Sequence, residues 1–201
     1  VLSPIELIRR ALVVGYRVIG VTDHVGPGNV DFILKTLIKE CNAASKRWDI
    51  LALPGVEITH TPKEDIDLLA KEARRLGAKL VNVHGETVIE PVEQGTNEAA
   101  VNSQHVNILA HPGLITVEEA RDAAQNGVFL EVSAKLGHSF ANGHVVRIAQ
   151  EAGAQMIMDS DAHLPGDLLT REFALKVALG SGLDEQNAYA LLDKSPVELL
   201  K

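Results

Sequence analysis

The sequence predicts a single α/β domain in which short parallel strands alternate with helices. Six apolar segments rich in Val, Ile and Leu recur along the 201 residues, and segments with helix start and stop signals separate them. Nearly continuous apolar composition is typical of parallel strands covered by helices. The predicted strands span residues 18–24, 49–57, 79–84, 106–111, 128–133 and 155–159.

The helices are predicted from capping residues and glycine stops. Ser3-Pro4-Ile5-Glu6 has the pattern of a capping box with proline at the first helical position, so a helix should run to about Gly15. The same start recurs at Thr61-Pro62-Lys63-Glu64, at Thr116-Val117-Glu118-Glu119 and at Ser195-Pro196-Val197-Glu198. Further helices are predicted over residues 30–48, 93–103, 143–152, 167–179 and 184–192.

The length and composition of the chain limit the functions that it can have. A length of 201 residues and 46% hydrophobic content suit one globular domain over residues 1–201. The net charge of −8 disfavours passive binding to phosphate backbones, so nucleic acid is expected only as a substrate. The single cysteine, Cys41, is expected in a helix core, and the missing leader pattern and membrane span favour a cytoplasmic protein without membrane contact.

Metal-ligating residue types follow five of the predicted strands. Asp161 and His163 stand two positions apart, so in an extended segment their side chains project to the same side. The other strand ends carry His24, Glu57, His84 and His111. A barrel gathers its strand ends around one mouth, whereas an open doubly wound sheet spreads them along a line. The converging ligands therefore favour the barrel, with the open sheet as the alternative.

Each of these residues has a simpler interpretation when it is taken alone. A single histidine is compatible with a hydrogen-bonded core or turn residue, and Glu57 with an exposed loop. Several buried imidazoles and carboxylates together require a shared counter-charge. The set therefore predicts a metal centre, and mixed imidazole and carboxylate ligands suit zinc, manganese or iron.

Other polar residues give weaker signals. Lys135 and Arg171 follow the last two strands, where a cation would bind a phosphate group, although a solvated basic side chain is an equal interpretation. Residues without an apolar strand directly before them are interpreted as solvated loop residues rather than ligands. They are His60, Glu86, His105, His138 and His144.

Five short motifs resemble those of the polymerase and histidinol phosphatase (PHP) family, in particular its small stand-alone archaeal and bacterial members. In order they are Thr22-Asp23-His24, Pro54-Gly55-Val56-Glu57, Val83-His84-Gly85-Glu86, Ala110-His111-Pro112 and Ser160-Asp161-Ala162-His163. The resemblance covers nearly the whole chain. It implies a distorted barrel of seven βα units with two or three divalent ions at its C-terminal mouth.

The resemblance also implies roles for the ligands. Glu57 would bridge two ions, with His84 and His111 completing one site and Asp161 serving the other. A third ion would lie between His24 and His163, and catalysis would depend on Glu57, Asp161 and His163.

The start of the sequence departs from this family pattern. The family's first strand carries a His-x-His pair, whereas this sequence opens on a helix cap at Ser3. We therefore expect that the first strand of the barrel is absent from this sequence. Without its ligands, at most about one tightly bound ion per chain is expected, because only Glu57, His84 and His111 form a three-residue site.

The predicted function is that of a metal-dependent phosphoesterase acting on a small phosphomonoester, such as histidinol phosphate or a nucleotide. Two ions bridged by a carboxylate activate water and polarise a phosphoryl oxygen. One alternative is an RNA-binding scaffold like the barrel subunit of archaeal RNase P. Another is a metal-dependent amidohydrolase, which is disfavoured because no strand end before Lys135 offers a lysine for carboxylation. The sequence leaves the oligomeric state open.

Overall fold

The computed structural model describes residues 2–201, which form one parallel sheet surrounded by helices. The strands are β1 (Val18–Val25), β2 (Leu51–Ile58), β3 (Leu80–His84), β4 (Ile108–Ala110), β5 (Phe129–Ser133) and β6 (Met156–Asp159). They lie in the order β1-β2-β3-β4-β5-β6, and every neighbouring pair is parallel. The predicted α/β class and all six predicted strands are confirmed.

Helices connect and flank the strands. They are α1 (Pro4–Val14), α2 (Val30–Arg47), α3 (Ile66–Leu76), α4 (Thr96–Val101), α5 (Val117–Asn126), α6 (Asn142–Ala152), α7 (Arg171–Gly180), α8 (Glu185–Asp193) and α9 (Ser195–Leu199). Cys41 is buried in α2, as predicted. Across residues 2–201, no helix is both long and apolar enough to cross a bilayer.

The six strands curl into a half-barrel, whereas the prediction was a distorted barrel of seven βα units whose first strand is absent from this sequence. Among the described strands, β1 pairs only with β2 and β6 only with β5, so these two strands form the edges. A closed barrel needs every strand to have two neighbours. The predicted parallel order is therefore confirmed, and the predicted barrel is corrected to a half-barrel with two open edges.

The two faces of the curled sheet have different roles. The outer face packs on the helices through buried strand residues such as Val56, Val81 and Leu109, which belong to the largest hydrophobic cluster. The inner face lines a cavity of about 510 Å³. Ile108 and Ile157 lie deep on this face, whereas ligating side chains line the cavity at the C-terminal ends of the strands.

Of the four predicted helix caps, one forms completely, one forms in part and two do not form. Thr116 forms a complete capping box with Glu119, whereas Ser3 accepts a hydrogen bond from the Glu6 amide and the Glu6 carboxylate pairs with Arg10 instead of returning to Ser3. Thr61 does not cap a helix, because a short 3₁₀ turn over Lys63–Asp65 precedes α3. The predicted box at Ser195 is also wrong, since α9 begins at that residue without a side-chain cap.

Gly85 directly follows β3, and its amide donates a 2.9 Å hydrogen bond to the carbonyl oxygen of Ala110 at the end of β4. A Cβ atom at this position would lie 2.5 Å from the Ala110 carbonyl oxygen and 2.9 Å from Pro112 Cα. We expect Gly85→Ala to lower the free energy of unfolding by about 1–3 kcal/mol, because the backbone must move apart. Gly28→Ala is the control, since a Cβ there meets no atom within 4 Å. Equal urea midpoints for the two variants would contradict the close contact.

Candidate metal centre

The parallel sheet brings the predicted ligands to its C-terminal edge. His24 and Glu57 are register partners on β1 and β2, and His84 is the last residue of β3. His111 follows the end of β4, and Asp161 lies two residues beyond β6. Consecutive strand ends therefore place these side chains together at one edge of the sheet, as the sequence predicted.

Glu57, His84 and His111 form the buried centre of the site. The Glu57 Oε1 atom lies 3.1 Å from His84 Nδ1 and 3.6 Å from His111 Nε2. The two imidazole nitrogens are 2.9 Å apart, and each of the three residues is 6% exposed or less. Tetrahedral coordination with bonds of about 2.0–2.1 Å separates neighbouring donor atoms by about 3.3–3.4 Å. One carboxylate and two imidazoles are thus spaced as three ligands of a single ion.

Glu131 holds His111 from the side opposite Glu57. Its Oε2 atom lies 2.9 Å from His111 Nδ1 and accepts a 2.6 Å hydrogen bond from the His111 backbone amide. A carboxylate on the second ring nitrogen of a histidine fixes its orientation and increases its basicity as a ligand. The sequence analysis missed Glu131, although a single carboxylate inside the apolar strand β5 was an available signal.

A second set of groups surrounds Asp161. Its carboxylate lies 3.3 Å from His163 Nδ1 and 3.7 Å from His138 Nε2. The His24 and His163 rings lie 5.9 Å apart, and His24 Nε2 is 3.8 Å from Glu57 Oε2. The predicted ligands therefore gather in one region, with the His163 side chain 54% exposed at its outer edge.

His138 belongs to this site, contrary to the interpretation as a solvated loop residue. It is 8% exposed, and its ring stacks on His111 with centroids 4.0 Å apart. Thr87 Oγ1 lies 2.8 Å from its Nδ1 atom, which leaves Nε2 directed at Asp161. The burial escaped the sequence analysis because His138 lies in a 3₁₀ turn rather than at a strand end.

The other residues interpreted as solvated differ in their surroundings. Glu86 Oε1 accepts hydrogen bonds from the Gly95 and Asn97 amides, and His144 Nε2 lies 2.7 Å from the Ile115 carbonyl oxygen, so both organise loops. His60 is exposed, as expected, but its Nε2 atom lies 3.3 Å from Glu90 Oε2.

The candidate phosphate-binding residues have different partners. Lys135 Nζ lies 3.1 Å from His163 Nδ1 and donates a 2.9 Å hydrogen bond to Asp167, so it is next to the site. Arg171 forms a bidentate pair with Asp193 at 2.6 and 2.8 Å, and its guanidinium lies over the Tyr189 ring. Lys135 therefore lies beside the candidate metal centre, whereas Arg171 contacts Asp193 and Tyr189 of α8.

The charges in this interior are strongly coupled. Burial alone would raise the pKa of Glu57, but a hydrogen bond from His84 and the charges of His111 and His24 lower it. Burial opposes protonation of His111, yet Glu131 raises the pKa of this imidazole to about 9. Burial, with the nearby carboxylates Glu57 and Glu131, raises the pKa of Asp161 to about 6. A cation would relieve the repulsion among these carboxylates.

Three non-glycine residues in and beside the candidate metal centre have a positive backbone φ angle. His60, His111 and Asp161 have φ values of 49°, 32° and 44°, and they are the non-glycine residues with positive φ in the described part of the chain. Such conformations cost on the order of 1–3 kcal/mol each and cluster at functional sites. The surrounding structure holds all three strained residues beside the candidate ligands.

Comparison with known proteins identifies a relative across the whole chain. Uncharacterized protein MJ1295 of Methanocaldococcus jannaschii is 46% identical over 202 residues, covering 100% of this chain and 92% of that protein. The chain belongs to the family of this archaeal protein. No model of a known protein family matches this MJ1295-family chain.

More distant relatives of the MJ1295-family chain have names that include an activity. A probable phosphatase of Shewanella sp. strain ANA-3 is 29% identical over 203 residues, covering 92% of this chain and 79% of that protein. A probable phosphatase of Thermoanaerobacter sp. strain X514 is 29% identical over 150 residues, covering 66% of this chain and 61% of that protein.

Solved structures share the fold of the MJ1295-family chain. A chain in the cryo-EM structure of archaeal ribonuclease P with mature tRNA superposes with a TM-score of 0.75 at 16% identity, covering 99% of this chain and 87% of that one. N-acetyl-D-glucosamine-6-phosphate deacetylase from Mycobacterium smegmatis gives a TM-score of 0.50 at 14% identity, covering 97% and 69%. At these identities the similarity establishes the architecture alone.

Removing the Glu131 carboxylate tests its support of His111. At about pH 9 and above, where little proton remains on His111 to compete with the ion, we expect Glu131→Gln to weaken binding of Zn²⁺ by about 10–100-fold, because His111 loses its orienting partner. Glu151→Gln is the control, since the Glu151 side chain is 51% exposed on α6. Affinity is measured by competition with a chromophoric chelator, and equal affinities for the two variants would exclude the supporting role.

The same variant tests the proton on His111. An ion must displace this proton, and the pKa of His111 is about 9, so Zn²⁺ affinity should rise with pH up to that value. The rise is at most about tenfold per pH unit for one displaced proton. In Glu131→Gln the pKa of His111 falls, so the rise should end at a lower pH. A pH profile unchanged by the substitution would contradict this linkage.

Proposed function

We propose that the protein is a metal-dependent phosphoesterase that hydrolyses a small phosphomonoester. The observation that supports this most directly is the buried Glu57–His84–His111 group, whose ligating atoms lie within 4.8 Å of one another. A buried carboxylate and two imidazoles beside a cavity are a typical set of three protein ligands that leave one position for water or substrate.

The surrounding residues fit a metal ion. Glu131 contacts the ligand His111 through Oε2, and its other carboxylate oxygen, Oε1, is buried and has no hydrogen-bond partner among the described residues. Burial and the charges of Glu131, Glu57 and Asp161 raise the pKa of Asp159 to about 8. An interior that combines an unpaired carboxylate oxygen with mutually repelling carboxylates is stabilised by divalent charge.

We assign the candidate ligands to up to three metal ions. Glu57, His84 and His111 would hold one ion, while the second Glu57 oxygen and Asp161 would hold another, and His24 with His163 a third. Bound Zn²⁺, Mn²⁺ or Fe²⁺ would lower the pKa of a water molecule and polarise a phosphoryl oxygen. Glu131 keeps the His111 ring in place, because it is hydrogen-bonded to both the ring and the backbone amide.

Lys135 is the residue that we propose binds the phosphoryl group of the substrate. Its ammonium group is 25% exposed and lies beside His163 at the outer edge of the site. We infer that it pairs with a phosphoryl oxygen when substrate enters, exchanging part of its contact with Asp167. The probable phosphatases found at 29% identity support this chemical class.

The two alternatives receive less support. The ribonuclease P chain shares the fold, but the buried ligand group and the net charge of −8 favour hydrolysis over a scaffold that binds RNA by charge. The deacetylase also shares the fold at 14% identity, and this supports no substrate class. Assays with an aryl phosphate and with a cyclic amide separate phosphatase from amidohydrolase activity.

Glu57→Gln tests the proposed function. The neutral amide does not offset the charge of the ions, so bound metal should be lost and phosphatase turnover should fall more than about 100-fold. The melting temperature should change little, because the apolar outer core is untouched. Metal content is measured by elemental analysis, and turnover with p-nitrophenyl phosphate in the presence of Zn²⁺ or Mn²⁺.

Glu118→Gln is the matched control, since the Glu118 side chain is 79% exposed on α5. It should retain metal and whatever activity the unsubstituted protein has. Undiminished metal content in Glu57→Gln would exclude Glu57 as a ligand. Metal binding without hydrolysis of any phosphomonoester would leave the centre intact and exclude the phosphatase assignment.

A further inference from the structure

His84 has one ring nitrogen that the site described above does not use. Its Nδ1 atom faces Glu57 and His111, whereas Nε2 points to the other side of the ring. The side chain is 3% exposed, and Nε2 forms no hydrogen bond within residues 2–201. A buried, unpaired imidazole nitrogen is costly unless something binds it.

Glu90 and His60 lie on this other side of the His84 ring. Glu90 Oε2 is 3.2 Å from His84 Nε2 and 3.3 Å from His60 Nε2. The contact between Glu90 and His84 has the distance of an ion pair without the geometry of a hydrogen bond. The three residues each offer a ligating atom within 4.8 Å of the others, and this group shares only His84 with the Glu57 triad.

These separations match coordination of one ion. Donor atoms around a tetrahedral ion with bonds of about 2.0–2.1 Å lie about 3.3–3.4 Å apart, close to the two distances from Glu90. The left-handed backbone of His60, with φ of 49°, is a strained conformation beside this group. The strain and the unpaired nitrogen are independent observations at the same place.

We propose that His60, His84 and Glu90 form a further binding site for a divalent transition-metal ion, with His84 shared between this ion and the one held by Glu57 and His111. Two imidazoles and one carboxylate suit Zn²⁺, Fe²⁺ or Mn²⁺ and leave one position open. A neutral imidazole carries one N–H proton, so simultaneous occupation of both nitrogens releases that proton to solvent. The site depends on the proposed function only through His84.

Glu90 also connects this site to the rest of the cluster. Its other oxygen, Oε1, lies 3.6 Å from His138 Nε2, which in turn lies 3.7 Å from Asp161 Oδ2. The side chain of Glu90 is 35% exposed, so the site is accessible to solvent. An ion here would therefore be able to exchange with the surrounding solution.

Zn²⁺ titration of the 201-residue chain, after treatment with a chelator, tests the site. Glu90→Gln and His60→Asn should each bind one Zn²⁺ per chain fewer than the unsubstituted protein, or bind it at least about tenfold more weakly, because each removes one of three ligands. Glu93→Gln and His105→Asn are matched controls, since they remove the same groups elsewhere. Stoichiometry is measured by elemental analysis, and Co²⁺ substitution reports the number of tetrahedral sites by visible absorption.

The outcomes separate this site from the Glu57 centre. Loss of one ion in both variants, but in neither control, supports the proposal even if no phosphatase activity is found. Unchanged stoichiometry and affinity in both variants would overturn it, and so would an unsubstituted protein that saturates with a single ion. We expect His60→Asn to fold normally, because the His60 side chain is 44% exposed, so a loss of metal in this variant reports on the site itself.

Discussion

A buried carboxylate that is shared among histidines is the interaction on which the site depends. Glu57 is 6% exposed, and His84, His111 and His24 lie 3.1, 3.6 and 3.8 Å from its oxygens. An ionised carboxylate in such a place is stable only beside positive charge. Without a metal ion, protonated His111 supplies this charge, since its pKa is about 9. A metal ion would take over the same role, so proton and metal compete for one position.

The sheet makes this arrangement possible. Parallel pairing puts the ends of neighbouring strands side by side, and the register aligns His24 with Glu57. The outer face packs on helices through a continuous apolar cluster, which stabilises the fold without involving the site. The strained backbones of His111 and Asp161 are held by this packed framework. Stability and ligand placement therefore come from opposite faces of the same strands.

The sequence predicted the features that depend on local pattern. Strand positions follow from apolar runs, and the ligand positions follow from polar residues at the ends of those runs, as His84 and His111 illustrate. Features that depend on distant contacts were missed or wrong. His138 was interpreted as a solvated loop residue, but it is buried with its ring stacked on His111. The ion pair of Arg171 with Asp193, 22 residues further along the chain, is a contact that the sequence did not predict. Closure of the barrel likewise depends on whether strand edges far apart in sequence meet.

The central claim is that Glu57, His84 and His111 bind a metal ion. Anomalous diffraction from crystals grown with Zn²⁺ or Mn²⁺, recorded at the absorption edge of that metal, tests it most directly. The account predicts an anomalous peak about 2.0–2.3 Å from Glu57 Oε1, His84 Nδ1 and His111 Nε2. A well-ordered map without a peak among these three atoms, at saturating metal, would contradict it.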